Sequence, residues 1–361
     1  MFNPNRLQFA IDRRAVSKAE LAEKLNITPR TLTNYLKGNT EPNLVDISRV
    51  LSFPIDFFKG SDLPIIDEHS VSFRSRSRMT KKVKAEALTY GITGFMLNDW
   101  FEEEFELVQS ELPDLSHLSP EEAANSLRYD WGLGDKPIGN LIALLESKGI
   151  RIFSIFVKSE YIDAFSVWYD DTPFIFLNNQ KTMERSRFDA CHELGHLVRD
   201  IYSMKMSESF SKSLDEDLDS KVVERCADEF ASAFLMPEVA LMEYRHVNPT
   251  INNLIELKKV FGVSLVALAY RMHKLGFISE WVYTRVLCPE IAKYNYRKSE
   301  PYPMDRETSQ VLNTITSELT SEGISLDDIA KKINLRKADI TPLLFQLAES
   351  TKPFHLFQVL K

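Results

Sequence analysis

Cysteine is scarce: Cys191, Cys226 and Cys288 are the only three in 361 residues. They share no metal-type spacing and their odd number leaves one unpaired, so a disulfide framework is not expected. Reduced thiols in a cytoplasm are the simplest account. Long hydrophobic runs are missing too. The longest, such as Ile152–Val157, are strand-length, against the ~20 residues a bilayer span needs. The opening Met1-Phe2-Asn3-Pro4-Asn5-Arg6 lacks the basic and then apolar blocks of a signal peptide. Membrane-bound and secreted classes are therefore not expected. What is present is the balance of a soluble globular protein, 44% hydrophobic and 27% charged, with a length that suggests two or three domains.

The net charge of −8 conceals an asymmetry. Residues 1–84 hold 15 Lys/Arg against 9 Asp/Glu, and the remainder holds 29 against 43. A basic front on an acidic body fits a small nucleic-acid-binding module joined to a larger domain with other work.

The front reads as short helices with turn punctuation. Leu7 and Ile11 begin one apolar stripe. Ser17 and Glu20 form a capping box for a second helix that buries Leu21, Ala22 and Leu25. Asn26-Ile27 is a tight break, after which Thr28 caps a third helix with Pro29 at its first position. That helix turns Leu32, Tyr35 and Leu36 inward and stops at Gly38. Two helices joined by so short a turn are a helix-turn-helix unit. The stretches Ser17-Lys18-Ala19-Glu20-Leu21-Ala22 and Asn34-Tyr35-Leu36-Lys37-Gly38-Asn39-Thr40-Glu41-Pro42 closely resemble the Xre/lambda-repressor family of DNA-binding domains. In such units the second helix enters the major groove. That assigns base-edge contacts to Thr28, Arg30, Thr31 and Asn34, and phosphate contacts to Lys18 and Lys37. A lone unit of this size binds double-stranded DNA weakly, so a homodimer on a two-fold operator is expected.

Residues 65–83 form a connector rich in Arg, Ser and Lys, including Arg74, Arg76, Arg78, Lys81 and Lys82. Helical periodicity resumes over Val83–Leu112, after Ser119-Pro120-Glu121-Glu122, and over Ile138–Ser147. Ile150–Val157, Ala164–Trp168 and Phe174–Leu177 are β-branched and aromatic runs between turn residues, hence three strands. Helices return from Glu184, with Pro301 and Pro303 marking a late linker. The fold class is α+β: an all-α reader over 1–64, an α+β domain with a small three-stranded sheet over 65–248, and a helical region over 249–361. An offset of 308 aligns Ser17, Ala22, Lys24, Asn26, Thr33 and Leu36 with Ser325, Ala330, Lys332, Asn334, Thr341 and Leu344. The C-terminus is thus a second helix-turn-helix-like unit, and Leu257–Met272 a fainter third. Pro342 falls inside the helix equivalent to the recognition helix and should kink it, which favours a packing or dimerisation role.

The chemistry concentrates in His192-Glu193-Leu194-Gly195-His196. Residues four apart share a helix face, so His192 and His196 can hold one metal. Glu193, ~100° round from His192, is placed to take a proton from a water that the metal activates. A third ligand is required. Arg199 and Tyr202 stand where a metzincin would have Gly and His, so that pattern fails. Glu224, on the helix after the acidic loop Asp215–Asp219, fits a His₂Glu set. Asp228 one turn on can accept from a ligand histidine. Ala227 and Ala231 leave room for the two helices to approach, whereas Glu229 points ~140° away. Cys191 adjoins a ligand but points ~100° off, which favours packing.

Arg187-Phe188 leading into this helix, then Glu224-Arg225-Cys226-Ala227-Asp228-Glu229-Phe230-Ala231 and Leu235-Met236-Pro237, is similar to the ImmA/IrrE family of metallopeptidases. Trp131-Gly132-Leu133-Gly134 and Asp163-Ala164-Phe165-Ser166 also fit. The resemblance implies a zinc endopeptidase that cleaves repressor-type proteins in stress response or mobile-element control; by ligand type the set also takes manganese. The other reading is a transcription factor whose metal domain is a sensor or catalytically idle. Tyr202, Tyr244 and His246 are all open as oxyanion stabilisers.

Overall fold

The computed structural model describes residues 1–66, 71–73, 80–157, 162–206 and 216–345, with the backbone alone at 72–73, 201–206 and 216–220. Arg74, Arg76 and Arg78 of the connector, and Asp215, lie outside the described residues.

The front module is α1 (Pro4–Arg13), α2 (Lys18–Lys24), α3 (Pro29–Leu36) and α4 (Leu44–Leu51). Its punctuation is that of the sequence. Ser17 and Glu20 close a reciprocal capping box, Thr28 Oγ1 accepts from the Thr31 amide, and Asn26 takes the left-handed turn at φ 53°. After a two-residue strand β1 (Ser72–Phe73) come α5 (Lys81–Glu104), α6 (Pro120–Asp130) and α7 (Leu141–Ser147). Strands β2 (Arg151–Ile155), β3 (Ala164–Tyr169) and β4 (Thr172–Asn178) then lead into α8 (Met183–Met206), α9 (Glu216–Leu235), α10 (Glu238–Met242), α11 (Ile251–Phe261) and α12 (Leu265–Lys274). The three expected strands are present, and β1 adds a short fourth. The acidic stretch expected as a loop is already helical from Glu216, because α9 starts there.

The sheet is mixed, in the order β1-β3-β4-β2, with β2 parallel to β4 and the other pairs antiparallel. Its strands are buried almost throughout because both faces are covered. Phe165, Val167, Phe174 and Phe176 face a core shared with α1 and α5, while Ala164, Ile175 and Leu177 face a second core with α8 and α9. Helix α5 lies close on the sheet because Gly94 has no side chain: a Cβ there would sit 2.6 Å from Phe176. On the other face Gly195 does the same for α8 and α9, where a Cβ would come within 3.1 Å of the Phe230 ring. Ala227 and Ala231 are fully packed in that seam. Among the described residues no helix is long and apolar enough to cross a membrane.

The C-terminal unit repeats the front one in geometry. Ser325 and Asp328 form its capping box, and Asn334 takes φ 56° where Asn26 takes 53°. Its second helix stops after Lys337–Ile340, and Thr341–Leu344 continues as a 3₁₀ turn at Pro342, since proline lacks the donor an α-helix needs. The unit docks on α1: Arg14 pairs with Asp339 at 2.5 Å and Arg13 donates to the Asp339 carbonyl at 2.7 Å. The late linker is tied by a buried charge cluster. Lys258 reaches Glu184 at 2.8 Å and Glu300 at 3.2 Å, with all three side chains under 5% exposed. Buried Arg187 pairs with Glu307 and donates to the carbonyls of Gly139 and Ile138. Removing one partner of such a cluster strands the others in low dielectric. Lys258→Met should therefore cost about 3–5 kcal/mol, read as a shift in the urea midpoint. An unchanged midpoint would mean the cluster contributes no net stability.

Candidate metal centre

Helix α8 runs between the sheet and α9, and that burial aims its polar triplet inward. His192, Glu193 and His196 are each about 1% exposed. His192 Nε2 and His196 Nε2 lie 3.1 Å apart, and Glu224 of α9 closes the triangle at 3.4 Å from His192 and 3.6 Å from His196. Bonds of ~2.0–2.2 Å to a tetrahedral ion give ligand–ligand edges of ~3.3–3.6 Å. The three side chains thus fit one divalent metal, and among the described residues they form the only such cluster. Each histidine is oriented from behind. His192 Nδ1 donates to Asp228 at 2.9 Å, and His196 Nδ1 donates to Asp200 at 2.8 Å, leaving both Nε2 atoms for the metal. Glu229 is exposed and faces Arg225 at 3.9 Å. Cys191 is fully buried among apolar side chains, which pushes its thiol pKa up and leaves it inert.

Glu193 is held by Ser166, whose Oγ donates to Oε2 at 2.7 Å. Burial raises the Glu193 pKa, and His196, His192 and the Ser166 hydroxyl partly offset this. The carboxylate is thereby a stronger base than an exposed one. Burial disfavours a charge on His192, but Asp228, Glu224 and Glu193 outweigh it and push the imidazole up to about 10. Burial also opposes the Glu224 charge, and the two histidines more than compensate, so its pKa falls below the usual range.

In the front module Lys18, Thr28, Arg30 and Lys37 are exposed on α2, α3 and their caps, while Thr31 and Asn34 are half-buried. Thr28 and Thr31 share a hydroxyl hydrogen bond of 2.9 Å, so both are partly committed to capping. Arg30 makes no such commitment and leads the exposed face.

Two family models match the chain. One, described as helix-turn-helix, covers residues 10–54, and the other, described as an IrrE N-terminal-like domain, covers residues 145–273. Residues 10–54 are thus similar to an Xre-type helix-turn-helix module and residues 145–273 to an ImmA/IrrE-type domain, joined in one chain. Among solved structures it is similar to a Mycobacterium tuberculosis transcriptional regulator, at 17% identity and a TM-score of 0.33, over 50% of this chain and 51% of that one. The match therefore spans about half of that regulator. No curated protein matches the chain.

Two residues of this site, Asp200 and Ser166, belong to no metal-ligand pattern in the sequence. Asp200 lies one turn after His196, and that spacing was the available signal. Ser166 stands in the stretch Asp163-Ala164-Phe165-Ser166 that fits the family pattern, but nothing in the sequence gives it a role. Of the open oxyanion residues, Tyr244 packs its ring on Phe261, His246 is exposed beside Arg245, and the Tyr202 side chain lies outside the described residues. Two outcomes are expected of metal titrations. Asp200→Asn should weaken binding roughly 10–100-fold; affinity equal to the parent's would show that the carboxylate does not orient His196. Below about 10, His192 of the metal-free protein carries a proton that the ion must displace. Affinity should then fall about tenfold per unit as the pH drops, with proton release visible by calorimetry in buffers of differing ionisation enthalpy.

Proposed function

We propose that this chain is a DNA-binding transcriptional regulator whose second domain is a zinc-dependent endopeptidase acting on a protein, repressor-type substrate in the cytoplasm. The observation that carries the reading is Glu193, buried at the metal triangle and fixed by the Ser166 hydroxyl. A bare sensor needs the ligands and the carboxylates that orient them, and has no use for a further carboxylate held at hydrogen-bonding distance by its own positioning residue.

His192, His196 and Glu224 would hold the ion, zinc by ligand type, with manganese also accepted by such a set. When bound, the metal supplies a Lewis acid that polarises a carbonyl and lowers the pKa of a water. Glu193 takes the water's proton at its free carboxylate oxygen and passes it to the departing amine. Ser166 keeps that carboxylate from turning away. Asp228 and Asp200 hold the imidazoles in the required tautomer.

The front module supports operator binding as a homodimer. Arg30 reads guanine in bidentate fashion and Asn34 reads adenine, each worth ~1–3 kcal/mol of discrimination, while Lys18 and Lys37 hold phosphate. Two measurements test the two halves. Glu193→Gln should abolish cleavage of proteins encoded beside this chain, with metal content and DNA binding retained; unchanged activity in every assay would favour the sensor reading. On DNA from upstream of its own gene, Lys37→Ala should weaken binding to all sequences and flatten the salt dependence, whereas Arg30→Ala should relax discrimination. If neither change alters binding, the front module is not the reader.

A further inference from the structure

The sheet edge that passes Glu193 is already taken. Strand β3 lies against α8, and Ser166, which holds the Glu193 carboxylate, sits in its middle. One side of β3 is paired with β4. The other side is paired antiparallel with β1, Ser72 opposite Ser166 and Phe73 opposite Phe165. A strand edge is a ready template for an extended peptide, which adds to it through main-chain hydrogen bonds. This edge runs past the residue that positions the base, so it is where a peptide's backbone would be laid against the metal triangle. The strand found there is the chain's own, from the connector between the DNA reader and the ImmA/IrrE-type domain. Two residues of ladder make a weak strand, and buried Val71 beside them adds one apolar anchor. A short tether holds such a segment at an effective concentration of roughly millimolar, enough for weak contacts to persist.

We propose that β1 is a built-in competitor for the substrate groove. A substrate binds as an extended strand antiparallel to β3 at Phe165–Ser166, in the place Ser72–Phe73 holds, so peptide entry and the pairing of β1 on that edge are mutually exclusive. This rests on the peptidase reading of the site.

The test measures binding rather than turnover. The full zinc-loaded chain carrying Glu193→Gln is titrated against a fluorescein-labelled peptide of residues 69–76, His-Ser-Val-Ser-Phe-Arg-Ser-Arg. The same titration is run with the connector strand disabled in two ways. S72P/F73P removes ladder donors, and V71G/S72G/F73G removes strand preference and the anchor. Variants whose circular dichroism matches the parent's are compared. Loss of the tethered competitor should tighten peptide binding at least about tenfold, and whichever of the adjacent Phe165 and Ser166 amides points to β1 should exchange faster in the variants until peptide is added. Equal affinity in parent and variants, or no binding in any of them, overturns the proposal. If binding tightens but the Glu193 chain never hydrolyses a peptide, the peptidase reading fails and the groove assignment stands. If hydrolysis is seen and binding is unchanged, the reverse holds.

Discussion

The close approach of α8 and α9 is the constraint on which the rest depends. Two histidines one turn apart hold nothing firmly without a third ligand, and that ligand comes from another helix. Glu224 reaches within 3.4–3.6 Å of both imidazoles only because the seam is lined by Gly195, Ala227 and Ala231, with Phe230 packed across it. A larger side chain at Gly195 would push the Phe230 ring and α9 outward. The two outer carboxylates, Asp228 and Asp200, then lock ring orientation. A site assembled this way costs desolvation of several charged groups. The apolar core of α6, α8, α9, α11 and α12 around the site offsets that cost.

The sheet gives the site its second wall and links it to the rest of the chain. Its alternation sends mostly aromatic side chains to the α5 face and mostly small or aliphatic ones to the α8 face. Ser166 interrupts the second set at the one position where Glu193 needs a donor. The same sheet is fastened to the C-terminal unit, since Ser154 donates to the Pro342 carbonyl at 2.6 Å. That unit is in turn bonded to α1 through Asp339. Arg13 of α1 also lies over the Tyr90 ring of α5 at 3.5 Å. The helix-turn-helix module is thus packed into the body through charged and cation–π contacts rather than hung from it by the connector alone.

Much of this was legible from residues. The capping boxes at Ser17 and Ser325 and the left-handed asparagines 26 and 334 are local chemistry, and local chemistry is written in short stretches of sequence. His192, His196 and Glu224 were readable because helical spacing and ligand type restrict the choices. The rest depends on contacts between distant segments. Strand β1 has two residues and no periodicity to announce it, so only its pairing with β3 defines it. Lys258, Glu184 and Glu300 are scattered along the chain, and nothing in their neighbours marks them as a cluster. Ser166 looks like a strand interruption until α8 is laid against it.

The central claim is that one divalent ion is held by two imidazoles and a carboxylate. X-ray absorption at the metal edge of the loaded full chain tests it most directly. The account predicts two nitrogen ligands and carboxylate oxygen at ~2.0–2.2 Å, with the oxygen contribution altered and affinity reduced in Glu224→Gln. Sulfur scattering at ~2.3 Å, which would bring a cysteine such as Cys191 into the site, or a chain that binds no metal while folded, would contradict it.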